Sequence, residues 1–145
     1  MLKGIPSVLS PELLCALAQM GHGDELVIAD GNFPCHSVGK NSIVIRADGH
    51  GVPEILDAVL KLIPLDTYTE MPVGLMKVVE GDTCGTPTIW SEYEAILSKH
   101  EPDHHDIEYI ERFDFYERAK GAFLIIATGE SAIYANVLLK KGVVK

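Results

Sequence analysis

The 145-residue chain sets 21 Asp and Glu against 12 Lys and Arg, and its net charge of −9 argues against a nucleic-acid backbone or an anionic membrane as partner. Its mean hydropathy of +0.15 comes from scattered apolar residues, and no run approaches the ~18 that a membrane-spanning helix needs. Apolar residues at 47% are a surplus for one small domain, so a single domain over residues 1–145 that self-associates is expected.

The opening MLKGIPSVLSPELL has neither a long apolar core nor a small-residue cleavage site, so no signal peptide is expected. SPELLCALAQMG predicts a helix, with Ser10 as N-cap, Pro11 at the first helical position, Leu13, Leu14 and Leu17 as the apolar stripe and Gly21 as the stop. In GHGDELVIAD, His22 is clamped between Gly21 and Gly23, and the missing Cβ atoms leave the imidazole uncrowded and positive φ open. A helix cap explains one of these glycines but not both. ELVIAD is too short for a helix and rich in branched residues, which predicts a buried strand delivering Asp30 at its carboxyl end; GNFP reads as a turn.

A second strand is expected over Ser42–Arg46, then an amphipathic helix in VPEILDAVLKLIP, stopped by Pro64. VGLMKVV reads as a third strand, EGDTCGTPT as a polar loop, and IWSEYEAILSKH as a helix with Trp90, Tyr93 and Leu97 on one side. EPDHHD leads to a short strand near Ile107, and RFDFYERAKG reads as a helix closing at Gly121. AFLIIATG is the most apolar strand, and IYANVLLKKG reads as a final strand after the Gly129 turn. Strict alternation over that last strand would put Tyr134 and Asn136 on one face, about 7 Å apart at ~3.4 Å per residue. Short buried strands alternating with helices predict an α/β domain, one sheet covered by helices. Cys15, Cys35 and Cys84 are odd in number and widely spaced, as expected of free thiols in a reducing cytoplasm.

No P-loop, HExxH or GxSxG motif is present, and GHGVP at Gly49–Pro53 lacks the GxGxxG spacing. The candidates for chemistry are therefore polar groups at strand ends, where α/β sites form. His22 is either a proton carrier, as imidazoles can be at neutral pH, or a helix-end ring bonding the last carbonyls. Asp30 either orients a ligand or closes an Asx turn into GNFP. His104 and His105 read as solvated loop residues more readily than as zinc ligands, because no second ligand pair stands at usable spacing. Arg112, Phe113, Phe115 and Tyr116 suit the apolar face and hydroxyls of a sugar, or fill the core. Tyr134 and Asn136 either bond to each other and the main chain or line a polar pocket.

SPELLCALAQMGHGDELVIADGNFP, VIRADG, IPLDTY, RFDFYERA and ATGESAIYANVLLKKG together resemble the fucose mutarotase branch of the RbsD/FucU family, from Leu2 to Gly142. The resemblance implies a three-layer α/β/α sandwich around a mixed β-sheet and an isomerase that interconverts the α and β anomers of L-fucose with no cofactor and no metal. Sister members act on D-ribose, and L-galactose is a further candidate sugar. It places the catalytic histidine at His22, an active tyrosine at Tyr116, and substrate contacts at Asp30, Asp66, Arg112, Tyr134 and Asn136. It also implies a homo-oligomer, a decamer or smaller, whose sites borrow residues from a neighbouring subunit. Ala135 stands where the family often has glycine and Gly31 where it often has alanine, and both bear on pocket shape and sugar preference. The rival expectations are a D-ribose pyranase, a non-catalytic monosaccharide-binding module and a metal hydrolase built on the loop histidines.

Overall fold

In a computed structural model describing residues 1–145, the strands are β1 (Glu25–Ala29), β2 (Ile43–Ala47), β3 (Val73–Met76), β4 (Ile107–Ile110), β5 (Leu124–Thr128) and β6 (Val137–Lys140). The helices are α1 (Pro11–Gln19), α2 (Cys35–Val38), α3 (Val52–Leu60), α4 (Ile89–His100) and α5 (Arg112–Lys120). All six strands form one mixed sheet in the order β2-β5-β1-β6-β3-β4. Every neighbouring pair is parallel except the two that involve β6, which runs antiparallel to both β1 and β3. The carboxyl ends of the other five strands and the amino end of β6 therefore meet along one edge of the sheet, here the carboxyl edge. No helix is long and apolar enough to cross a membrane.

Because successive strand residues face opposite ways, β1 feeds two cores. Leu26 and Ile28 pack with Leu13 and Leu17 of α1, Ile55 and Val59 of α3, and Tyr93 and Leu97 of α4. Val27 and Ala29 pack on the other face with Cys35 and Val38 of α2 and Phe115 and Ala119 of α5. The result is the three-layer sandwich that the resemblance implied. Truncating a fully buried residue such as Leu26 or Leu56 to alanine costs roughly 2–5 kcal/mol.

The helix caps follow the sequence closely. Ser10 Oγ accepts from the Leu13 amide at 3.1 Å with Pro11 at the first helical position. Helical bonding after α3 continues as turns to Ile63 and stops at Pro64. Three local expectations are corrected. The turn at GNFP runs on into α2, a single helical turn that carries too little periodicity to be seen in sequence. β3 ends at Met76 rather than at Val79, because the chain then turns and the Val79 amide bonds to the Tyr134 hydroxyl at 3.2 Å.

The final strand begins at Val137, not Ile133, and Tyr134 lies in the left-handed region at φ 54°. Side chains hold its backbone in place of a ladder: Trp90 Nε1 donates to the Tyr134 carbonyl at 2.9 Å and the Tyr93 hydroxyl to the Ala135 carbonyl at 2.7 Å. The shared strand face expected for Tyr134 and Asn136 is thus replaced by a turn.

Candidate active site

Along the carboxyl edge, four segments that are remote in sequence close around one cavity of about 270 Å³. Asp30 follows β1, Met76 ends β3, Arg112 and Tyr116 start α5, and Tyr134 and Asn136 precede β6. The loop after β3 contributes Val79 and Asp82. Phe33, Met76, Val79 and Ile133 make part of the wall apolar.

Asp30 and Asn136 are both buried and tied together, the Asp30 amide donating to Asn136 Oδ1 at 2.8 Å. That bond fixes the carboxamide and leaves its NH₂ for a ligand. Asp30 Oδ1 accepts from the Asn32 amide at 3.0 Å, so the aspartate both closes an Asx turn and lines the cavity. Burial raises the Asp30 pKa above the ordinary carboxylate value, with nearby amide donors opposing and the Glu130 charge adding to the rise.

One turn apart on α5, Arg112 Nε donates to the Tyr116 hydroxyl at 3.3 Å. Phe115 of the same helix faces the core while Phe113 stands in solvent, so the aromatic cluster is divided between core and site. The Tyr134 hydroxyl is committed to the loop, donating to Asp82 Oδ2 at 2.7 Å and accepting from the Val79 amide. Its bond to the Asp82 carboxylate raises the Tyr134 pKa and lowers that of Asp82.

His22 and Asp66 are not in this cavity. They lie at the opposite edge, where the end of β6 joins two segments: Gly23 N donates to the Lys141 carbonyl and Asp66 N to the Lys140 carbonyl, both at 2.9 Å. Of the two flanking glycines only Gly23 has a positive φ, at 86°, so the turn requires one of them and not the pair. The imidazole does not cap α1. Its Nε2 meets Asp66 Oδ1 at 3.0 Å, and the ring of Tyr68 lies 5.3 Å away. Burial opposes ionisation of Asp66, but bonds from the Tyr68 amide and His22 outweigh it and hold its pKa below the ordinary value.

His22 and Asp30, both read from sequence as polar groups at strand ends, therefore stand at opposite edges of the sheet. β1 runs between them, and its five residues at ~3.3 Å each separate the two groups by about 16 Å or more within one chain.

The loop histidines turn to separate partners. His104 Nε2 pairs with the Thr69 carbonyl, whereas His105 bonds the Glu101 carbonyl and the Glu94 carboxylate. No group of three or more His, Cys, Asp and Glu side chains is placed to hold a metal ion.

The model of the RbsD / FucU transport protein family matches residues 3–144. The chain belongs to the RbsD/FucU family. It is 55% identical to the human fucose mutarotase over 98% of this chain and 94% of that protein. Its fold superposes on the crystal structure of FucU from Bifidobacterium longum with a TM-score of 0.94 and 57% identity, over 99% of this chain and 100% of the other. The fucose mutarotase of Streptococcus pneumoniae, solved in complex with L-fucose, gives 0.93 and 49% over the same shares.

In this RbsD/FucU chain, the residues singled out from sequence divide into two sets. Asp30, Arg112, Tyr116, Tyr134 and Asn136 share the cavity, and His22 with Asp66 form a pair at the far edge. Of the two departures from the family pattern, Ala135 is fully buried, and Gly31 has the Glu130 carbonyl 3.1 Å from where a Cβ would stand. Sequence reasoning missed Asp82 and the apolar wall. The only signal for Asp82 was a carboxylate in a glycine-bounded loop directly after a strand.

Proposed function

We propose that this RbsD/FucU member is an L-fucose mutarotase that interconverts the α and β anomers by opening and reclosing the ring. The observation that carries this reading is the convergence of Asp30, Asn136, Arg112 and Tyr116 with an apolar wall at one small cavity. Carboxylate, carboxamide and guanidinium groups match ring hydroxyls, and the apolar wall suits the C6 methyl of a 6-deoxy sugar, which ribose lacks. The volume lies below the ~300–1,000 Å³ of sites for larger ligands, in keeping with a monosaccharide. Similarity to the human fucose mutarotase and to the fucose-bound streptococcal protein supports the same choice.

Ring opening removes the proton from the anomeric hydroxyl, forms C1=O1, breaks C1–O5 and protonates O5. Rotation about C1–C2 and the reverse steps close the ring on the other face. Electrons and atoms balance without oxidant or nucleophile, so the reaction calls for no cofactor. In this reading His22, oriented by Asp66, and the Tyr116 hydroxyl exchange protons with O1 and O5, one giving a proton as the other takes one. A positioned acid–base group contributes about 10²–10⁴-fold, ample for a reaction that free sugars already undergo in water.

His22 is a strand's length from the cavity of its own chain, so the complete site joins the cavity of one copy to His22 of the partner subunit. The enzyme is on this reading an obligate homo-oligomer. Saturation-transfer NMR on L-fucose, L-galactose and D-ribose tests the proposal. Fastest exchange is expected for L-fucose, and His22→Ala abolishes exchange at nearly unchanged sugar affinity. Fastest exchange of D-ribose would mark a pyranase instead, and binding without any exchange would mark a sugar-binding module.

A further inference from the structure

We propose that Tyr68 is a positioning residue for His22, holding the imidazole so that Nε2 stays on Asp66 and Nδ1 faces outward as the nitrogen that exchanges protons. The inference rests on the mutarotase reading for its kinetic consequence, though not for its geometry. The flanks of His22 cannot orient it, because Gly21 and Gly23 carry no side chains and the ring is about half exposed, at 46%. What holds it comes from Asp66 and Tyr68. Asp66 Oδ1 accepts from the Tyr68 amide at 3.1 Å, an Asx turn that folds the tyrosine back over the imidazole.

The same oxygen meets His22 Nε2 at 3.0 Å. A carboxylate only accepts, so Nε2 carries the hydrogen of that pair and the neutral ring keeps its lone pair on Nδ1. The Tyr68 ring then lies 5.3 Å from the imidazole with the planes tilted at 51°. Packing elsewhere does not explain its place. Tyr68 is 74% exposed, and its hydroxyl bonds to no other residue of the chain. One tripeptide thus supplies a carboxylate that fixes the tautomer and a ring that limits rotation.

Long-range ¹H–¹⁵N NMR of the imidazoles in the full chain, alongside L-fucose exchange kinetics, tests the assignment. Wild type is expected to show His22 as the Nε2–H tautomer. Tyr68→Ala should mix the two tautomers and lower kcat about 2- to 10-fold, the population shift of one lost aromatic contact, with KM unchanged. Tyr68→Phe should restore both readouts.

A rise in KM alone would make Tyr68 a sugar contact, and a smaller assembly on size-exclusion chromatography would make it a subunit contact. Either result overturns the proposal, as does an unchanged His22 spectrum. If Tyr68→Ala mixes the tautomers but wild type exchanges no L-fucose, the positioning role stands and the mutarotase reading fails.

Discussion

Mixing two inactive variants gives the sharpest prediction of the composite site. Within one chain, β1 separates His22 from Asp30 by about 16 Å, a gap that no side-chain rotation closes. On the proposed reading, each working site therefore takes its imidazole from one copy and its phenol from another. His22→Ala keeps a complete cavity, and Tyr116→Phe keeps a complete His22–Asp66 pair. When the two are co-expressed in equal amounts and assemble at random, half of the imidazoles and half of the phenols are intact. About a quarter of the sites then hold both, whatever the closed symmetry, so exchange should recover to roughly a quarter of wild type. The assay is saturation transfer on L-fucose, with each variant alone as baseline and size-exclusion chromatography confirming mixed assembly. A mixed oligomer no more active than its parents would refute the reasoning, since a site built within one chain gains nothing from mixing.

Three further outcomes follow from the geometry. Asp66 has a lowered folded pKa, so its ionised form stabilises the fold above the unfolded value near ~3.9, and that contribution is lost as pH falls through the folded value. Asp66→Asn should lower the melting temperature at pH 7 and converge on wild type in acid, as thermal scans across pH would show. Asp30 has the opposite sign: its pKa is raised by burial, so wild type loses stability as pH rises through it. Asp30→Asn keeps an acceptor for the Asn32 amide and should melt no lower than wild type at pH 7, while losing L-fucose affinity in a titration of the fluorescence of Trp90, the sole tryptophan. Trp90→Phe removes the donor that holds the Tyr134 carbonyl and should cost about 1 kcal/mol in urea unfolding, with a raised KM.

The layers were legible in the sequence because burial leaves a periodic mark. The caps at Ser10 and Pro64 and the full span of α4 could be read directly. The segment before β6 could not. Ile133 to Asn136 carries the alternation of a strand, yet bonds from Trp90, Tyr93 and Asp30, each more than 40 residues away, outcompete a ladder there. Local periodicity has no term for such partners.

The site was legible in its residues but not in its arrangement, for the same reason. A residue's type shows what it can bond to, whereas its edge of the sheet depends on strand direction, which a single sequence does not display. His22 and Asp30 flank one strand and so look like neighbours. They stand at the two ends of β1 and so at opposite edges, and the strand directions decide which other residues join each. On the proposed reading, a mixed sheet whose chemistry is split between its two edges has its site completed by a second copy. The same reading accounts for the surplus of apolar residues, since association would bury them as it completes the site.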